Sequence, residues 1–251
     1  MIDAQPTQIS AADFDRCAGH GCPVRIVRLR HQDAFVQRDE LGSHPTVFPA
    51  IGAPQYAAID TRDNSVSYKT SSHSPNARSH GVTPTLEGDK LYVAHDTGNE
   101  VTGIDLETGN VDFTVPGIHR AEEVIPSRSG DALWVSSRGD GSVKRIDLVS
   151  HAITKSVPVG VQPESIMLTP DEGTLVVSMR GTPASLGFID TASVGSPAPV
   201  VQVVPIAAAG SAGDLAVMTP NGHFVFATYD NGSTGKGGIV VVDVRTREIV
   251  N

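Results

Sequence analysis

The chain has 251 residues, 39% hydrophobic and 19% charged, with a mean hydropathy of −0.08. Its 19 Lys and Arg stand against 28 Asp and Glu, a net charge of −9. Such an acidic chain is a poor partner for a phosphate backbone, which excludes nucleic-acid binding. No apolar run reaches the roughly 18 residues of a membrane helix, and the composition excludes a coiled coil, a collagen and a disordered chain.

In chain order, residues 1–23 read as an irregular extension and residues 24–251 as one all-β domain. Met1 to Ser10 carry no basic region followed by an apolar stretch, so no signal peptide is read there. Cys17 and Cys22 are the two cysteines, in Cys-Ala-Gly-His-Gly-Cys. Two thiols cannot build a four-thiolate zinc site, and the spacing is not that of a C-x-x-C redox motif. A local disulfide, two free thiols, or a site shared with His20 remain open. His20, His31, His44 and His73 read as surface or turn histidines. Val24-Arg25-Ile26-Val27-Arg28-Leu29 alternates as a strand does. It is expected to close a ring as the outer strand of the last unit.

From residue 34 onward a unit repeats. An apolar triplet leads through a polar turn to a segment ending in Asp: Leu91-Tyr92-Val93 to Ile104-Asp105, Leu133-Trp134-Val135 to Ile146-Asp147, and Leu175-Val176-Val177 to Ile189-Asp190. These triplets stand 42 residues apart. A fourth copy, Val225-Phe226-Ala227 to Val242-Asp243, follows an insertion, and a degenerate copy, Thr46-Val47-Phe48 to Ile59-Asp60, precedes them. Each triplet is preceded by a strand-like stretch and a Gly, Pro or Asp turn, and each Ile-Asp is followed by another strand. Four short strands per unit make an antiparallel meander that exposes both sheet faces and cannot stand alone. A period of about 40–45 residues with four strands predicts a β-propeller of four-stranded antiparallel blades. Five blades are expected, near 34–70, 80–115, 122–158, 164–205 and 214–251. They form either a closed five-bladed ring or part of a seven-bladed one. Trp134 is expected between blades.

The stretch His80-Gly81-Val82 … Gly88-Asp89-Lys90-Leu91-Tyr92-Val93-Ala94 … Gly98-Asn99-Glu100-Val101-Thr102-Gly103-Ile104-Asp105-Leu106-Glu107-Thr108-Gly109 resembles the YVTN-type β-propeller repeat. The resemblance covers about residues 34–251. Lactonase-type propellers share related repeats. The resemblance implies a seven-bladed ring and a periplasmic or secreted location, and leaves activity open because propellers host many functions.

Alignment of the copies puts His80, Glu122, Glu164 and Asp214 at one equivalent position, just before each inner strand, in steps of 42, 42 and 50 residues. One imidazole and three carboxylates are thus expected at a common mouth. Gathered like charges raise one another's pKa or attract a cation. The four read either as a site for a divalent cation, a cationic ligand or acid/base chemistry, or as a water-filled mouth offset by Arg78 and Arg120. The turns between second and third strands add His95, Asp96, Arg138, Arg180 and Tyr229 to the same rim. Arg138 and Arg180 are also equivalent, and two guanidiniums grip a carboxylate or phosphate well; as turn charges they would simply be solvated. Arg138-Gly139-Asp140 is read as turn punctuation rather than an adhesion motif. The run from Gly232 to Gly238 lacks the spacing of a phosphate loop, and no Gly-x-Ser-x-Gly elbow is present. The expected function is binding of a small molecule, ion or protein at the mouth. A lactonase-like hydrolase at the same mouth is the alternative, and a structural repeat protein the third reading.

Overall fold

The computed structural model describes residues 24–29, 32–37, 46–85, 88–207, 211–231 and 235–250. Cys17, His20, Cys22, His31 and His44 lie outside them. Among the described residues, twenty strands form five antiparallel sheets whose members follow chain order. The first holds β1 (Val24–Leu29), β2 (Gln32–Gln37), β3 (Thr46–Ala53), β4 (Gln55–Asp60) and β5 (Ser65–Thr70). The second holds β6 (Ser79–Pro84), β7 (Lys90–His95), β8 (Glu100–Asp105) and β9 (Val111–Pro116). The third holds β10 (Ala121–Pro126), β11 (Ala132–Ser137), β12 (Ser142–Asp147) and β13 (Ala152–Pro158). The fourth holds β14 (Pro163–Leu168), β15 (Thr174–Met179), β16 (Ser185–Asp190) and β17 (Val201–Pro205). The fifth holds β18 (Ser211–Met218), β19 (Phe224–Asn231) and β20 (Lys236–Asp243).

The sheets are the repeats. The hairpin after each inner strand turns on a residue the sequence marks: Gly130 and Gly222 take φ of +69° and +73°, where a side chain would be strained. The triplets form the second strands and are buried, because in a propeller both faces of a blade are covered. Leu91, Val93, Leu133, Val135, Leu175, Val176 and Val177 have no exposed surface. Four apolar layers lie between successive sheets. Phe48, Tyr56, Val82, Leu91 and Ile104 join the first to the second. Tyr92, Val101, Val124, Leu133 and Ile146 join the second to the third. Trp134, Val143, Ile166, Leu175 and Ile189 join the third to the fourth, with Trp134 between blades as expected. Val176, Phe188, Val225, Val240 and Val242 join the fourth to the fifth. Each such side chain contributes about 1.5–3 kcal/mol on burial.

The inner strands meet in sequence: β2 packs on β6, β6 on β10, β10 on β14 and β14 on β18. This is the radial arrangement of a β-propeller. Among the described residues no comparable contact joins the last sheet to the first. One expectation is corrected. The segment Val24–Leu29 does not pair with the last blade; it pairs antiparallel with β2, with Ile26 opposite Phe35, and gives the first sheet a fifth strand. A short polar connection to β2 makes that local hairpin easier to form than a pairing across the whole domain. The outer edge of the last sheet is met instead by its own chain, through the Val242–Ile249 bridge and the Val250 amide donating to Val241.

Candidate functional site at the propeller mouth

Each inner strand of blades two to five carries a β-bulge at the same place. Two residues oppose one on the neighbouring strand: His80-Gly81 opposite Ala94, Glu122-Glu123 opposite Ser136, Glu164-Ser165 opposite Ser178, and Asp214-Leu215 opposite Thr228. A bulge re-aims a side chain that a regular strand would send elsewhere. Here it frees backbone groups that the neighbouring blades then satisfy. Ser136 Oγ accepts from the Glu123 amide at 2.9 Å and donates across the blade boundary to the Glu164 carbonyl at 2.6 Å. Ser178 Oγ repeats this with the Ser165 amide at 3.0 Å and the Asp214 carbonyl at 2.8 Å. The second bulge residues act likewise: Glu123 Oε2 accepts from the Ile166 amide at 2.8 Å, and Ser165 Oγ from the Ala216 amide at 3.3 Å. Gly81 lets β6 approach β10, since a Cβ there would lie 2.4 Å from the Glu122 carbonyl oxygen. In the second blade Ala94 replaces the serine, and the Glu122 carbonyl is instead 3.1 Å from His80 Nδ1.

The bulges bring His80, Glu122 and Glu164 together. One ligand atom from each lies within 4.8 Å of the others. His80 Nε2 is 3.1 Å from Glu122 Oε2. The side chains of Glu122 and Glu164 are 2% and 5% exposed. Their Oε2 atoms are buried and without a hydrogen bond. The His80–Glu122 approach is close but not aligned as a hydrogen bond. Arg138 enters from the rim, its Nη1 3.1 Å from Glu122 Oε1 and 3.5 Å from Glu164 Oε2. Gln162 Oε1 holds its Nη2 at 3.3 Å, and Arg120 lies 3.9 Å from Glu122. Burial, then the Glu122 charge, pushes the Glu164 carboxyl up to about 7 against the opposing pull of Arg138, His80 and Arg180.

The remaining expected site residues are arranged differently. Asp214 occupies the equivalent bulge, but its carboxylate, 39% exposed, goes to Arg180 at 3.5 Å and is not part of the cluster. Arg78 pairs with Asp96 at 2.8 Å rather than with the mouth carboxylates. His95 ends β7 with no exposed surface, Nε2 3.0 Å from Thr102 Oγ1. The sequence placed it in a turn; the strand runs one residue further and takes the ring into the blade contact. Tyr229 lies in β19 opposite Gly213 and packs on the core between the last two blades. Asp140, next to Arg138, faces His119 and Lys144, so the Arg-Gly-Asp tripeptide serves two separate ion networks. Ser136, Ser178, Glu123 and Gln162 were not singled out by the sequence. The 42-residue step between Ser136 and Ser178, broken by Ala94, was the available sign.

The fold defines a repeat protein of the β-propeller class. No family model matches the chain, and no curated protein does. Solved structures match in number, 1267 chains, so the architecture is common and does not by itself specify an activity. One of them is hydrazine synthase of Kuenenia stuttgartiensis, with a TM-score of 0.70 and 17% identity over 85% of this chain. This chain spans 64% of that chain's length. At that identity the likeness is one of fold.

Proposed function

We propose that this chain is a binding propeller of the YVTN type whose ligand seats in the mouth formed by His80, Glu122 and Glu164, with Arg120, Arg138 and Arg180 at its rim. A propeller is in general a rigid frame for binding. What carries this reading is the pair of buried carboxylates from adjacent blades, each with an oxygen lacking a hydrogen bond. A structural ion network satisfies its buried members; a site holds them ready for something else. Such a site costs stability. With the Glu164 carboxyl at about 7 in the fold and near 4.5 otherwise, the native state binds more protons across that window. Stability therefore falls as pH rises from 4.5 through 7.

The test is thermal or urea unfolding of the parent and Glu164→Gln, both metal-free. At pH 8 the substitution is expected to stabilise the protein by about 2 kcal/mol, with the gain vanishing by pH 4. Destabilisation at pH 8 would make the cluster structural and remove the reading. A lactonase-like hydrolase draws on the same pair, with Glu164 as the proton-exchanging group beside Glu122. On that reading the same substitution also abolishes saturable turnover of a sugar lactone.

A further inference from the structure

The inference rests on the mouth being a ligand site and names what it takes. Glu122's carbonyl oxygen accepts from His80 Nδ1, 3.1 Å away; a carbonyl can only accept, so Nδ1 carries the proton. With Nδ1 so engaged, Nε2 is the ring atom left to ligate. It lies 3.1 Å from Glu122 Oε2, out of line for a hydrogen bond, and that oxygen makes none elsewhere. A cation placed beside both atoms would draw on each of them. The pairing of an imidazole N–H with a backbone carbonyl behind a free ring nitrogen is also how proteins orient a metal-binding histidine. The other oxygen of Glu122 is held by Arg138 at 3.1 Å, which leaves Oε2 as the ligating atom and steadies the carboxylate as outer partners do at metal centres.

We propose that His80 Nε2, Glu122 Oε2 and Glu164 Oε2 form a zinc site with an open position toward the mouth. Donors about 2.05 Å from an ion and 3.1 Å apart subtend roughly 100° at it, within the range of four-coordinate zinc. Glu164 Oε2 is buried on the third side, without a hydrogen bond and 3.5 Å from Arg138 Nη1, and a turn of its carboxylate away from that guanidinium completes the set. One imidazole and two carboxylates suit zinc better than calcium, which takes six or more oxygens. Three protein ligands leave room for water or for a donor atom of a bound molecule. The blade geometry supports the rigidity this needs, since each ligand sits on a bulge and the Glu122 and Glu164 carbonyls are tied across the blade boundary.

The experiment is calorimetric titration of the metal-free full chain with Zn2+. A Cys17→Ser/Cys22→Ser background keeps thiols from contributing. One equivalent is expected to bind, with Ca2+ failing to compete. Glu122→Gln and His80→Gln should each weaken binding on the order of 100-fold. His80→Gln also removes the donor to the Glu122 carbonyl. The companion variant His80→Gln/Ala94→Ser restores that donor as Ser136 and Ser178 supply it in the next blades, and should melt like the parent while still failing to hold zinc. Undiminished affinity in these variants, tighter binding of Ca2+ than of Zn2+, or no binding by the parent would each overturn the zinc site. If the parent binds no zinc but Glu164→Gln still stabilises at pH 8, the mouth stands and only its metal falls.

Discussion

His95 shows how a single side chain can be polar, buried and unrelated to the mouth. Thr102 Oγ1 has one proton and gives it to the Ser71 carbonyl at 2.7 Å. It can therefore only accept from His95 Nε2, which fixes the proton there and leaves Nδ1 buried without a partner. Burial lowers the ring's pKa to about 4, against the weaker upward pull of Glu100 and Asp96. The unfolded ring, near 6.5, takes up a proton before the native ring does. The neutral ring's contribution is thus complete above pH 6.5 and is lost as pH falls from there toward 4. Unfolding free energy should drop by about 2–3 kcal/mol across that window because of this residue alone. The measurement is urea unfolding at pH 7 and pH 4.5 for the parent and for His95→Gln. The glutamine protein should lose this part of the pH dependence; an equal drop in both would contradict the assignment. The carboxylate of Glu100, which accepts from the Ser72 and Ser74 hydroxyls, lies close enough to act on this ring.

At the scale of elements, the bulge is what turns a repeated sequence into a site. The 42-residue step was enough to align His80, Glu122 and Glu164, because equal spacing in a repeat means equal position in a blade. It could not announce the bulge, since an extra residue in one strand leaves no periodic mark when every copy has it. Asp214 was aligned correctly and still sits apart, because its carboxylate is taken up by Arg180. The N-terminal strand was recognised as a strand, but its partner was not legible. Alternation specifies a face and not a neighbour. The serine latches carry their own prediction. Ser178→Ala leaves the Ser165 amide and the Asp214 carbonyl without their cross-blade partner. The cost should be about 2 kcal/mol in urea unfolding, the penalty of buried unpaired backbone groups. A loss below about 0.5 kcal/mol, the level of an ordinary surface change, would mean the latch contributes nothing.

At the scale of the whole molecule, the first and last sheets keep apolar side chains exposed. Val217, Phe226 and Ile239 on the last sheet are 42%, 41% and 62% exposed. Val217 and Phe226 stand in one cross-strand row with Val241. On the first sheet Val66 and Tyr68 are 49% and 63% exposed. The inward faces of these same sheets are packed, so the five blades share one interface design, and that design sets matching bulges on neighbouring inner strands. Glu164, on the fourth blade, reports on how closely they meet. NMR titration of its carboxyl in the metal-free protein is the most direct check. A value of about 7 is expected, moving down toward the ordinary carboxylate range when Glu122→Gln removes the facing charge. An ordinary value in the parent, unmoved by that substitution, would mean the two carboxylates do not meet and would contradict the mouth.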